Sequence, residues 1–141
     1  MEEINNIKKG VTAVVYDDMS KPFFLILKRQ KGWEGWEFIK GGINEGESEL
    51  DAVKREVIEE TGLQKFKILK KIEDVDKGYT DENGVKNVHS IFLIEASMNI
   101  PINLPQDEHN TYLWTDADSV MSRLTFENDK NILVKVLEKL K

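Results

Sequence analysis

Apolar residues follow two different rhythms along this chain. Short runs rich in β-branched and aromatic residues occupy Gly10 to Asp17 (Val-Thr-Ala-Val-Val-Tyr) and Phe23 to Lys28 (Phe-Phe-Leu-Ile-Leu-Lys), with Asp-Asp-Met-Ser-Lys-Pro between them. They predict two buried strands joined by a turn. Phe66 to Val75 and Val85 to Ala96 are two further strand-like runs. The tip between them, Asp81-Glu82-Asn83-Gly84, carries Asn-Gly, a strong hairpin signal, so the sheet is expected to gain antiparallel strands. Tyr112-Leu113-Trp114 predicts one more short strand after the loop from Pro101 to Asn110.

The second rhythm is helical. From Asn128 to Lys141, Ile132, Leu133, Val136, Leu137 and Leu140 recur at helical spacing and predict a closing amphipathic helix. Between Ser48 and Gly62 both ends carry signals: Ser48 followed three residues later by Asp51 is a capping-box variant, and Gly62 stands where a helix terminates in a positive-φ residue. A helix between strands makes the class mixed α and β, and the chain reads as one domain over residues 1–141.

Advancing about 100° per residue, Leu50, Val53 and Val57 share an arc of about 60° that is expected to face the sheet. Glu49, Glu56, Glu59 and Glu60 fill the adjacent arc of about 100°, which places them at the rim of the packed face. Like charges at i,i+3 and i,i+4 each cost roughly 0.2–0.5 kcal/mol, and only Arg55 stands nearby to offset them. A hard divalent cation resolves the conflict, because Mg²⁺ takes oxygen ligands and is commonly shared between carboxylates and substrate phosphates; Mn²⁺ is the alternative ion.

Composition removes other chemistries. There is no cysteine, which excludes disulfides, thiolate metal sites and a Cys nucleophile. No stretch approaches the roughly 18 apolar residues of a membrane span, and Met1 to Asn6 lacks the basic and apolar regions of a leader. A cytoplasmic protein without membrane contact is expected. The net charge of -6 argues against stable nucleic-acid binding, yet Lys28, Arg29, Lys31 and Lys40 cluster in sequence while acids crowd Glu45 to Glu60. That layout suits phosphate on one side and metal on the other.

The segment Trp36-Glu37-Phe38-Ile39-Lys40-Gly41-Gly42-Ile43-Asn44-Glu45-Gly46-Glu47-Ser48 leads into the acidic helix with three glycines and a lysine, a loop able to bring backbone groups close to a ligand. It is no Walker loop, since Gly-x4-Gly-Lys-Ser/Thr is absent. Gly41-x5-Glu47-x7-Arg55-Glu56-Val57-x-Glu59-Glu60-x-Gly62-Leu63 instead matches the Nudix box at every specified position. The chain thus resembles Nudix hydrolases, strongly at the box and loosely across the rest.

That resemblance implies an α/β/α sandwich with a mixed sheet, and hydrolysis of a nucleoside diphosphate linked to another moiety. It makes Glu56, Glu59 and Glu60 metal ligands, with the Gly41 carbonyl as a further oxygen. Arg55 and Glu47 would hold loop and helix in register; Glu56, Arg55 and Glu108 form the expected catalytic set, the general base lying either on the helix or on the distant loop at Glu108. Lys40 and Arg29 are the candidate phosphate contacts. Tyr112, Tyr79, Phe92, Phe126 and Trp33 are aromatic candidates for stacking on a base, whereas His89 and His109 read as non-ligand histidines, His109 having the better claim to a role because it adjoins Glu108.

Outside the box, Glu108-His109 before Tyr112-x-Trp114, then Asp116-Ala117 and Leu124 to Lys130, is similar to the C-terminal half of asymmetric diadenosine tetraphosphate (Ap4A) hydrolases. Ile39 departs from them, standing where they commonly have a proline before the lysine. On this resemblance Ap4A is cut to ATP and AMP. The alternatives are an RNA 5′-pyrophosphohydrolase, a (d)NTP or ADP-ribose pyrophosphatase, and a catalytically silent nucleotide-binding regulatory domain. The small-molecule partner in each enzymatic case is a nucleotide; the sequence leaves the oligomeric state open.

Overall fold

The computed structural model describes residues 7–73, 75, 78–81, 83–105 and 108–140. Met1 to Asn6, Asp74 of the run from Phe66 to Val75, Glu82 of the hairpin tip, Gln106 and Asp107, and Lys141 at the end of the expected tail helix lie outside the described residues.

The long apolar run near the start forms β1 (Ile7–Asp18), which turns into β2 (Pro22–Arg29). Two short strands, β3 (Gly35–Glu37) and β4 (Ile39–Gly42), precede helix α1 (Glu49–Thr61). Then follow β5 (Lys67–Ile72), β6 (Gly78–Thr80), β7 (Lys86–Glu95) and β8 (His109–Asp116), with helices α2 (Ala117–Arg123) and α3 (Glu127–Lys139) closing the chain.

Among the described residues eight strands join one sheet, ordered β3-β2-β1-β7-β5, with β4 on β1, β6 on β7 and β8 on β2. β1 runs parallel to β7 and antiparallel to β2 and β4, so the sheet is mixed as expected. A parallel pair needs a crossover, and α1 lies within the stretch that supplies it.

Both faces of the sheet are covered. Val11, Ala13, Val15, Leu25 and Leu27 pack against Ala52, Val53 and Val57 of α1, while Val14, Tyr16, Phe24 and Ile26 pack against Val120 of α2 and Ile132, Leu133 and Val136 of α3. Alternate residues of β1 and β2 therefore serve opposite cores. That is why these strands read as continuous apolar runs rather than as an alternation. The result is the expected α/β/α sandwich.

The cap signals are realised. Ser48 accepts a hydrogen bond from the Asp51 N–H at 3.1 Å, and Gly62 terminates α1 at φ 74°. β3, β4, β6 and α2 carry too few residues of regular pattern to be predicted locally; β4 contains Lys40-Gly41-Gly42 and is a strand because β1 offers it a ladder. One expectation is corrected. Leu50 is 47% exposed, and the buried face of α1 consists of Ala52, Val53, Glu56, Val57 and Thr61. The packed stripe is rotated toward the carboxylates because Gly41, lacking a side chain, admits Glu56 against the sheet.

Candidate metal and nucleotide site

β4 is the pivot of the site. At Gly41 an added Cβ would fall directly on the Glu56 carboxyl group, so the missing side chain leaves the space that the carboxylate fills. Glu56 is accordingly buried, at 8% exposure. Arg55 locks this arrangement. Its Nε and one terminal nitrogen donate to the two oxygens of Glu47 at 2.8 and 2.9 Å, the other terminal nitrogen donates to Glu56 at 2.8 Å and Glu59 at 3.2 Å, and the Gly42 carbonyl accepts at 2.7 Å. Loop, helix and strand are thus tied by one planar fork, the geometry for which arginine is suited.

Glu47 also accepts from the Asn44 N–H at 2.9 Å. Hydrogen bonds from Arg55 and then from Asn44 hold its carboxyl down at about 2. Glu56 moves the other way: burial pushes its pKa up, the Arg55 contact pulls it down, and the neighbouring Glu60 and Glu59 push it up again. Arg55 therefore does not neutralise the cluster. An all-oxygen donor set with surplus negative charge fits a hard divalent cation, with Glu56, Glu59 and Glu60 as the residues that would hold it. The Gly41 carbonyl oxygen borders the space left open by Gly10, where a methyl group would approach it to 2.6 Å.

Glu49, expected in the same arc, does not join the others. It pairs with Lys71 at 3.0 Å and accepts from the Ser90 hydroxyl.

On the far side, a register shift in the β2–β8 ladder between Lys28 and Arg29 sets His109 opposite Arg29. Such irregularities re-aim side chains, and His109 points inward at 4% exposure. Its Nε2 lies 2.8 Å from Glu37 and its Nδ1 3.1 Å from Glu60. Burial opposes its charge, but the hydrogen bonds to Glu37 and Glu60 overcome that and push the imidazole up to about 9. His109, Glu60 and Glu108 bring one side-chain atom each within 4.8 Å of one another, but with both ring nitrogens on carboxylates His109 braces Glu60 instead of offering a lone pair to a metal. His109, the histidine that adjoins Glu108 in sequence, thus touches the carboxylate cluster through Glu60.

Arg29 lies 3.5 Å from Glu108 and 3.8 Å from Glu37, donates to the Lys31 carbonyl at 2.9 Å, and sits over the Trp33 ring. Beside this cluster opens a cleft of about 1040 Å³ that Arg29, Lys40, Gly41 and Glu108 help to line. Of the aromatic candidates Trp33, Tyr79 and Phe126 line it, and Phe126 meets Trp33 edge-on at 4.8 Å. Phe92 is buried in the core on the α1 side. Tyr112 stands 40% exposed on β8 and is not among the lining residues.

Lys40 pairs with Asp129 at 2.8 Å, and its ammonium lies 5.2 Å from the Tyr79 ring centre. Asp129 is fully buried in the first turn of α3. It escaped the sequence reading although a signal existed: it shares the helical stripe of Ile132, Leu133 and Val136, where an acid is out of place. Glu37, flanked by Trp36 and Phe38, was likewise missed, as were Lys8 and Lys9 at the cleft edge. The latter two carry no local signal.

The NUDIX domain family model matches residues 7–137. Among curated relatives, the RNA pyrophosphohydrolase of Campylobacter jejuni subsp. doylei is 27% identical over 151 residues, covering 98% of this chain and 95% of that one. The RNA pyrophosphohydrolase of Bartonella bacilliformis is 49% identical over 39 residues, a match that spans only 28% of this chain and 23% of that protein. Among solved structures, an Ap4A hydrolase of C. elegans in a binary complex superposes with a TM-score of 0.81 at 21% identity, covering 94% of this chain and 97% of that one.

Proposed function

The chain belongs to the Nudix domain family, and from that premise we propose that it is a divalent-metal-dependent pyrophosphohydrolase whose substrate is diadenosine tetraphosphate, cut to ATP and AMP. The observation that carries the reading is the seating of the Glu56 carboxylate on Gly41 by the Arg55 fork, beside Glu59 and Glu60 and next to a cleft with aromatic and cationic walls.

Glu56, Glu59 and Glu60 are the residues that would hold Mg²⁺ or Mn²⁺, and the ion would supply Lewis-acid charge at a phosphoryl oxygen and lower the pKa of an attacking water. Arg55 orients Glu56 and joins it to Glu47, so the carboxylate is held before substrate arrives. His109, gripping Glu60 and Glu37, does the same from β8. Glu108 at the cleft edge is the candidate to take the proton of the attacking water, the alternative base being Glu56 itself. Arg29 and Lys40 line the cleft where the phosphate chain would lie; charge-assisted donors there would offset the charge that spreads over the transferred group, Lys40 while still paired with the buried Asp129. Tyr112 stands outside the cleft lining, 40% exposed on β8, and would meet only a part of the substrate that extends beyond the cleft.

A second reading, removal of pyrophosphate from the 5′ end of RNA, is supported by Lys8 and Lys9 at the cleft edge, which extend the cationic wall beyond Lys40. The test is a panel of Ap4A, 5′-triphosphorylated RNA, NTPs and ADP-ribose with Mg²⁺, products resolved by chromatography. ATP and AMP from Ap4A at the highest kcat/KM support the first reading. Faster turnover of RNA selects the second, and binding without hydrolysis of any substrate selects the regulatory one.

A further inference from the structure

Tyr79 lines the cleft from β6, a three-residue strand paired only with the start of β7 among the described residues. Such a strand cannot by itself fix a ring. Two contacts from other elements do so. His89 on β7, buried at 5% exposure, lies with its Nε2 3.4 Å from the Tyr79 hydroxyl, a long hydrogen bond, and its ring meets Tyr79 edge-on at 5.2 Å. The other ring nitrogen, Nδ1, is 2.8 Å from the Thr12 hydroxyl in β1. His89 itself stands opposite Gly10 in the β1–β7 ladder, where a Cβ would come within 2.7 Å of its Nε2; the glycine makes room for the imidazole.

The second contact is on the backbone. Asn128 in the first turn of α3 donates its side-chain N–H to the Gly78 carbonyl at 3.1 Å, one residue before Tyr79. The opposite end of β6 is held by Asp81, which accepts from the N–H groups of Asn83 and Val85 and from the Asn87 amide. One face of the Tyr79 ring takes the Lys40 ammonium.

We propose that His89 and Asn128 are positioning residues for nucleoside recognition: together they clamp Tyr79 in the cleft wall so that its ring meets the base of the nucleotide in a preset orientation. Preorganised aromatic surface binds at less entropic cost than a mobile one, so the clamp acts on affinity and leaves the phosphoryl chemistry at Glu56 untouched. His89 suits the role because burial and the nearby Lys40 hold its pKa down at about 4, leaving it neutral in the working range. A neutral imidazole offers one donor and one acceptor, one for Thr12 and one for Tyr79.

The inference rests on the cleft being a nucleotide site, and the experiment separates the two. AMP binding to the full chain is measured by calorimetry in EDTA, where no turnover occurs, and KM and kcat are measured with Mg²⁺ on the best substrate of the panel. His89→Phe and Asn128→Ala are expected to weaken AMP binding about three- to tenfold and to raise KM similarly, with kcat within about twofold. His89→Gln, whose amide replaces Nε2, is expected to stay within about twofold of the parent in both, and Tyr79→Phe is expected to add nothing in the His89→Phe background. If His89→Phe does not fold, Asn128→Ala and His89→Gln carry the test. Unchanged AMP affinity in Asn128→Ala, equal losses in kcat and affinity, or no AMP binding by the parent overturns the clamp. A parent that binds AMP through the clamp yet hydrolyses nothing on the panel overturns the proposed reaction instead.

Discussion

Gly41→Ala is the sharpest perturbation of this site because it alters no charge and removes no heavy atom. The added methyl group would overlap the carboxyl carbon and both oxygens of Glu56. Restoring van der Waals separation requires the carboxylate to withdraw by more than about 1 Å. Glu56 cannot withdraw freely, since Arg55 holds it at 2.8 Å and is itself engaged by Glu47 and Gly42. A misplacement of about 1 Å in a reacting constellation costs on the order of 10²-fold in rate, or about 2.7 kcal/mol of barrier. Overpacking adds about 1–3 kcal/mol of destabilisation. The neighbouring Gly42 is the control, because a Cβ there meets nothing within 4 Å. The assay is kcat/KM on the preferred nucleotide at saturating Mg²⁺, with thermal unfolding alongside. Gly41→Ala is expected to lose about a hundredfold while Gly42→Ala stays within about threefold of the parent. Full activity in Gly41→Ala would refute the reasoning that Glu56 works from its seat on this glycine.

Glu56→Gln should abolish measurable turnover, a loss of at least about 10²-fold, while leaving the unfolding temperature nearly unchanged, since it removes a charge that burial disfavours; parental rates with Mg²⁺ would exclude the mechanism. Glu47, held near 2 against an ordinary 4.5, contributes stability that is fully present above pH 4.5 and is lost as pH falls through about 2. Acid unfolding of Glu47→Gln should therefore be less steep than the parent's between those values, as read by circular dichroism. Lys40→Met leaves the fully buried Asp129 without its cation and should cost about 3–5 kcal/mol in denaturant unfolding. Lys40→Met/Asp129→Leu should recover most of that, and failure to recover would show that the pair contributes net stability.

Local chemistry was legible wherever a signal needs only neighbours in the chain. Ser48 and Gly62 bound α1 because capping acts over three or four residues, and the long strands announced themselves because a two-faced core demands unbroken apolar runs. The carboxylate edge followed from helical geometry, and the box gave it a family. Tertiary structure decided what depends on distant partners. It rotated α1 so that Glu56 is buried and Leu50 is not, since the space over Gly41 exists only once β4 pairs with β1. It sent Glu49 to Lys71 and brought His109 between Glu37 and Glu60 through a register shift that no local pattern encodes. It also chose among the aromatics, placing Tyr79, Trp33 and Phe126 in the cleft and Phe92 in the core. By itself the sequence determined the carboxylate cluster and its spacing, because those are properties of one helix and the loop before it. Which charge meets which, and which ring faces the cleft, required the sheet, because contacts between segments far apart in the chain are set by packing.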